Sequence, residues 1–124
     1  MDLSLESILA AVRSAKRHIH WKPGKAERHL AKRILLGQLS PDSTVKTYEA
    51  IIRRILTDPL SELYTFRYNE SDFPTVTAEL AGKLWLVMLD MSGRMETAFQ
   101  VVQPDTYFSD SRFTYWGRLQ EFAL

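Results

Sequence analysis

The sequence contains no cysteine and no long apolar run. The absence of cysteine excludes disulfides, thiol nucleophiles and cysteine-based metal sites. No apolar stretch approaches the ~18 residues that a membrane span requires, and the acidic start of the chain lacks the features of a signal peptide. Glycine and proline number only five each, so the composition is not that of a low-complexity chain. Together with the length of 124 residues, these absences predict one domain over residues 1–124, cytoplasmic and without a membrane partner.

Net charge is also nearly absent, at +1, but the charges are unevenly distributed. All three histidines, His18, His20 and His29, lie within residues 13–33. The same segment holds eight of the sixteen lysine and arginine residues and a single acid, Glu27. This clustering predicts a local basic patch suited to a phosphate-bearing partner. A solvated helix face is the alternative.

Apolar periodicity predicts helices in the first half of the chain and strands in the second. Helices are expected over residues 3–15, 25–36 and 41–57, the last with Ser40 as its cap and Pro41 as its first residue. Strands are expected over residues 63–68, 75–79, 83–90 and 94–102, the last two as a hairpin about Gly93. A loop is expected over residues 69–74, a short segment over 105–108 and a helix within 112–124. The sequence therefore predicts an α+β domain with N-terminal helices packed on a C-terminal antiparallel sheet.

Three aromatic residues alternate along the first predicted strand. Tyr64, Phe66 and Tyr68 share one face because side chains alternate along a strand. We expect that face to pack on the helices. An aromatic platform for stacking bases is the alternative.

The second predicted helix carries a basic row beside an apolar one. Lys25, His29 and Arg33 are spaced i, i+4, i+8, so they drift by only about 40° per step and form one stripe. Lys32 borders this stripe. An apolar row lies roughly 100° around the helix and consists of Ala26, Leu30 and Ile34. The stripe is suited to binding a phosphate and moving a proton beside it.

This combination of side chains suits the metal-free cleavage of RNA. In that reaction the ribose 2′-OH attacks the adjacent phosphate, while a base removes its proton and an acid protonates the 5′-oxygen. Histidine suits both proton steps because its pKa of about 6.5 lies near neutral pH. Lysine and arginine stabilise the negative charge that develops on the phosphate.

Four runs of the sequence resemble the superfamily of metal-independent ribonuclease toxins that includes barnase, the EndoU nucleases, tRNase colicins and RelE-type toxins. The runs are HLAKRILLG (29–37), YEAIIRRIL (48–56), LWLVMLD (84–90) and GRMETAFQVVQPDTYF (93–108). The likeness covers roughly residues 18–108. It implies helices followed by an antiparallel sheet of four or five strands, and an endoribonuclease that forms a 2′,3′-cyclic phosphate without a cofactor.

The resemblance also implies roles for individual residues. The expected catalytic residues are His29, His20, Lys32, Arg33, Thr97 and Tyr107. The expected RNA-binding residues are Lys25, Arg28 and His18. Strand alternation places Glu96 on the face opposite Thr97.

The expected partners follow from the same resemblance. The substrate is expected to be RNA, either tRNA or mRNA, and a toxin of this kind is neutralised by an acidic immunity or antitoxin protein. One alternative is a non-catalytic module that binds nucleic acid or protein through the basic patch. A zinc site formed by His18, His20 and His29 is a further alternative, although no metal is expected because no fourth ligand follows at ligand spacing.

Overall fold

A computed structural model describes residues 4–124 and shows an α+β fold. Three helices come first: α1 (Leu5–Arg17), α2 (Lys25–Leu35) and α3 (Val45–Thr57). The chain continues as β1 (Glu62–Tyr68), β2 (Ser71–Leu80), β3 (Lys83–Leu89), β4 (Met95–Gln100), α4 (Pro104–Phe108), β5 (Phe113–Arg118) and a 3-10 turn (Leu119–Glu121). The predicted fold class, with N-terminal helices and a C-terminal antiparallel sheet, is confirmed.

The five strands form one sheet in the order β4-β3-β2-β1-β5, with every neighbouring pair antiparallel. Strands β1 to β4 follow one another as hairpins, and β5 returns along the free side of β1. As a result β4 and β5 are the edge strands. The hairpin predicted over residues 83–102 is present as β3 and β4.

One face of the sheet packs on α1 and α3. Ile8 and Val12 on α1 and Ile52 and Ile55 on α3 are fully buried, and their spacing is that of one helical face. They belong to the main core, together with the sheet residues Leu63, Val76, Val87 and Leu89. The apolar stripes predicted for these two helices are confirmed.

The opposite face of the sheet carries a smaller apolar cluster built on Leu86, Met88 and Val101. The aromatic side of β1 belongs to this face. The Tyr64 ring stacks on Phe108 of α4, with 4.9 Å between ring centroids. The predicted packing of this aromatic face on a helix is found with the short α4, whereas α1 and α3 cover the side of β1 that carries Leu63.

The third helix begins at Val45, four residues later than the sequence predicts. Its cap is Thr44, whose hydroxyl accepts a hydrogen bond from the Thr47 amide at 3.2 Å. The Ser40 hydroxyl instead donates to the Asp42 carboxylate at 2.6 Å. Serine, proline and aspartate favour turns as well as helix starts, and here the turn forms.

The second strand is longer than predicted, since β2 begins at Ser71 and contains Pro74. β3 pairs with β2 only from Thr75 onward. At Pro74 the strand therefore has a neighbour on one side only, a position where a missing N–H is tolerated. The predicted loop is reduced to the two residues between β1 and β2.

The C-terminal segment is a strand followed by a 3-10 turn, so the predicted helix within residues 112–124 is wrong. Trp116, Leu119 and Phe122 have helical spacing in the sequence. All three contact the main core, but from different elements: Trp116 lies on β5, Leu119 lies in the 3-10 turn and Phe122 follows that turn. The short segment at residues 105–108 lies in α4. The first helix extends to Arg17, and its predicted start at residue 3 lies outside the described residues.

The Tyr48 hydroxyl links α3 to the sheet edge, and its removal should destabilise the fold. The fully buried phenol donates to the Ala98 carbonyl of β4, and burial raises its pKa to about 12. Tyr48→Phe leaves that carbonyl without its partner, so we expect the free energy of unfolding in urea to fall by about 1–3 kcal/mol. The control is Tyr115→Phe, which removes an exposed bond to Glu62. An equal loss in both variants would contradict this role of Tyr48.

Candidate functional site at the α2–β4 edge

Helix α2 and the segments that flank it cover the outer edge of β4. The Met95 amide donates to the His20 carbonyl at 2.8 Å, and the Gln100 amide donates to Gln38 Oε1 at 2.9 Å. An edge strand otherwise presents unpaired backbone groups to any other strand. The basic row of α2 is thereby held against β4.

Lys25 forms an ion pair with Glu96, which the sequence predicts on the face of the strand opposite Thr97. Lys25 Nζ lies 3.2 Å from Glu96 Oε2. Met88 pairs with Thr97 and Leu89 pairs with Met95, so Glu96 is the extra residue of a bulge. The bulge breaks the alternation of side chains, and the expectation that Glu96 and Thr97 point to opposite faces is corrected: both contact α2.

His29 contacts Thr97, the hydroxyl residue that the resemblance places on the hairpin side of the site. Its Nδ1 lies 3.1 Å from Thr97 Oγ1, and its ring centroid lies 5.8 Å from that of Trp21. Partial burial lowers the pKa of His29, and the charges of Lys25, Arg33, Arg28 and Lys32 lower it further. The imidazole is therefore neutral at neutral pH. When Nδ1 donates to Thr97, Nε2 keeps a lone pair and is able to accept a proton.

The His29 pKa should be measurable by NMR titration of its ring protons. We expect a value below the ordinary 6.5. Because the unfolded chain then binds the proton more readily, the contribution of His29 to stability is complete above pH 6.5 and is lost as the pH falls through the folded value. Inorganic phosphate should raise the pKa, since an anion favours the imidazolium. A pKa above 6.5 without phosphate would contradict this environment.

Arg33 is buried and has no acidic partner among residues 4–124. The residue is only 4% exposed, and its Nε has no hydrogen-bond partner. Arg33 also joins none of the ion pairs in that part of the chain. The guanidinium carbon lies 5.4 Å from the centroid of the Phe99 ring. Burial lowers the pKa of Arg33, although arginine remains charged in proteins.

A buried charge without a counter-ion is costly, and the cost falls when an anion pairs with it. The guanidinium is planar and matches the oxygens of a phosphate. Arg33 and His29 are one helical turn apart on the row that faces β4. An anion bound at Arg33 would therefore lie beside the imidazole.

Four other predicted site residues are exposed near the pair formed by His29 and Arg33: Arg28, Lys32, His18 and His20. Arg28 and Lys32 are exposed on α2. His18 and His20 are exposed, and their rings contact each other with centroids 4.2 Å apart. Neither ring hydrogen-bonds to His29 or Thr97 within the described part of the chain, but His20 directly precedes Trp21, whose ring neighbours His29.

Tyr107 does not contact His29 or Arg33 directly within the described residues; its ring contacts Phe99, which in turn contacts Arg33. It lies on α4, and its ring meets that of Phe99 edge-on with centroids 5.9 Å apart. Burial is the main cause that raises its pKa, followed by the charge of Asp110. Phe99 contacts both Tyr107 and Arg33.

Two neighbours of the basic row, Trp21 and Phe99, are not among the residues singled out from the sequence. Neither side chain carries a titratable group, so neither is a candidate for the proposed chemistry. Glu96 was predicted on the other face, because alternating hydrophobicity does not reveal a bulge. The Trp21 indole donates to Glu49 at 3.0 Å and neighbours His29.

No family model, curated protein or solved structure matches this chain. The resemblance to metal-independent ribonuclease toxins thus stays a prediction from the sequence. Within residues 4–124, no group of three or more histidine, aspartate or glutamate side chains is placed to hold a metal ion. In the same part of the chain, no helix is both long and apolar enough to cross a membrane.

Proposed function

We propose that this protein is a metal-independent endoribonuclease that binds an RNA phosphate at Arg33 and uses His29 as its base. The observation that supports this most strongly is the buried residue Arg33, whose Nε has no hydrogen-bond partner and which joins no ion pair within the described residues, on the same helical row as a histidine that contacts Thr97. A purely solvated basic face would leave this arginine exposed. A structural arginine would ordinarily be paired with an acid.

The chemistry follows from these three side chains. His29 Nε2 takes the proton of the ribose 2′-OH, and the 2′-oxygen forms a bond to phosphorus. The bond from phosphorus to the 5′-oxygen breaks, which leaves a 2′,3′-cyclic phosphate on one product. The 5′-oxygen takes a proton from a general acid, for which His20 is the candidate, and leaves as a hydroxyl. Arg33 stabilises the charge on the phosphorane, and Thr97 holds the imidazole in the productive orientation.

The lowered pKa of His29 favours the role of base over that of acid. A general base must be unprotonated before the reaction, and a positive surrounding keeps the imidazole neutral at neutral pH. A bound phosphate raises the pKa again, which increases the driving force for accepting the proton. The two effects suit a base that acts only when the substrate is present.

Exposed cations extend the site over the surface. Arg28 and Lys32 lie on α2 and Lys22 precedes it, and all three are exposed. We propose that they bind further phosphates of a tRNA or mRNA. If the protein acts as a toxin in the cytoplasm, an acidic immunity or antitoxin protein would cover the same surface.

Cleavage of a short RNA should distinguish catalysis from binding. We expect purified protein in EDTA to cut an RNA oligonucleotide and to leave its 2′-deoxy counterpart intact, because the nucleophile is the 2′-OH. Cleavage that requires a divalent cation, or that extends to the 2′-deoxy strand, would contradict the proposal. Salt-sensitive binding without cleavage would instead identify a non-catalytic nucleic-acid-binding module, since phosphate contacts weaken steeply as salt rises.

A further inference from the structure

A cavity of about 370 Å³ opens next to Phe99, whose ring centroid lies 5.4 Å from the Arg33 guanidinium carbon. The cavity is bounded by the apolar and aromatic residues Phe99, Val101, Val102 and Tyr107 and by the polar residues Gln100, Gln103 and Thr106. This volume lies at the small end of the ~300–1,000 Å³ range of ligand pockets. No charged residue lines the cavity.

The lining has the features of a site for a flat, polar-edged ring. Phe99 and Tyr107 present two aromatic rings at an angle, with centroids 5.9 Å apart. Val102 is 82% exposed although it is apolar. The side chains of Gln103 and Thr106 form no hydrogen bond within residues 4–124, whereas their backbone carbonyls accept from the Tyr107 amide and the Ser109 hydroxyl. Their side chains are free to bind a ligand there.

The cavity and the proposed phosphate site have one residue in common, Phe99. Phe99 lines the cavity and also contacts the Arg33 guanidinium, 5.4 Å from the ring centroid. Thr97, which contacts His29, lies two residues earlier on the same strand. A ligand with an anionic group at Arg33 and an aromatic group attached to it would place the aromatic group beside Phe99.

We propose that this cavity binds the nucleobase of the nucleotide whose phosphate lies at Arg33. The proposal rests on the function proposed above and names the part of the substrate that the site recognises. Every base has a π-face that stacks on aromatic side chains. The amide of Gln103 and the hydroxyl of Thr106 each donate and accept, as the edges of bases require.

Binding of mononucleotides tests the proposal without relying on cleavage. Protein labelled in its valine and threonine methyl groups is titrated, by NMR, with each of the four nucleoside 3′-monophosphates and with inorganic phosphate. We expect at least one nucleotide to bind roughly ten-fold or more tightly than phosphate, the gain that stacking of one base provides. Its ring current should shift the methyl signals of Val102 and Thr106, and phosphate should leave them in place.

Variants on the protein surface show whether the cavity is responsible. Thr106 is exposed on α4, so Thr106→Leu fills the cavity without disturbing the core. We expect the two ligands then to bind this variant with similar affinity. The matched control is Thr114→Leu on β5, an exposed threonine that is not part of the cavity, which should keep the preference for the nucleotide.

The outcomes separate the cavity from the phosphate site. Equal binding of nucleotide and phosphate, with unchanged Val102 and Thr106 signals, would overturn the nucleobase proposal and leave the phosphate site intact. An unchanged nucleotide preference in Thr106→Leu would also overturn it, because the base would then bind elsewhere. Binding of neither ligand would overturn the phosphate site and the nucleobase proposal together.

Discussion

Arg33→Met should abolish phosphate binding and RNA cleavage while leaving the protein as stable as the wild type or more so. Methionine fills a similar volume beside Phe99 but carries no charge. Replacing a buried charge by an apolar residue of similar size is often neutral or stabilising, so we expect a gain of zero to about 2 kcal/mol in the free energy of unfolding. Urea denaturation measures the stability, and calorimetric titration with inorganic phosphate measures the binding.

The matched control is Arg53→Met on α3, where the arginine is exposed. This variant should retain phosphate binding and cleavage and change stability by less than about 0.5 kcal/mol. A loss of more than about 2 kcal/mol in Arg33→Met, with phosphate affinity unchanged, would show that Arg33 is a structural residue. Replacing a residue that binds the substrate lowers function but keeps or raises stability, whereas replacing a residue that only packs in the fold lowers stability.

His29→Ala should reduce the rate of RNA cleavage by about 10²–10⁴-fold, the usual contribution of a general base. The imidazole is only partly buried and forms a single hydrogen bond within the described residues, to Thr97. Its removal should therefore lower the free energy of unfolding by no more than about 1.5 kcal/mol. Single-turnover cleavage of an RNA oligonucleotide measures the rate, and near-UV circular dichroism confirms that the fold is retained.

Two further variants show whether a lower cleavage rate in His29→Ala is specific to the imidazole. Glu27→Ala changes an exposed residue on the same helix and should cleave at about the wild-type rate. Thr97→Val keeps the shape of the side chain but removes the hydroxyl that holds Nδ1, so we expect an intermediate loss. Full activity in His29→Ala would exclude His29 as the base even if Arg33 proved to bind phosphate.

The residues that α2 contributes to the site could be predicted from the sequence. Lys25, His29 and Arg33 share a face because of helical spacing alone, and all three contact β4 or its residues. Thr97 was expected opposite them through the resemblance, and the structure places it there. The fold class follows from the change of hydrophobic period after α3.

The rest of the site depends on pairing between distant segments. The bulge at Glu96 arises from the register of β4 against β3, which no local pattern specifies. The burial of Arg33 beside Phe99 of β4 depends on how the strand meets the helix, whereas an arginine in a basic helix is ordinarily exposed. The strand β5 was missed for a similar reason, since its pairing with β1 overrides a helix-like spacing of apolar residues.

Mass spectrometry of the products from one RNA oligonucleotide, cut by the wild-type protein in EDTA, tests the proposed chemistry most directly. Attack by the 2′-OH with His29 as base predicts a 2′,3′-cyclic phosphate on the upstream fragment and a 5′-hydroxyl on the downstream fragment. Both products should disappear with His29→Ala and with Arg33→Met. A 5′-phosphate on the downstream fragment, or intact RNA after prolonged incubation with folded protein, would contradict it.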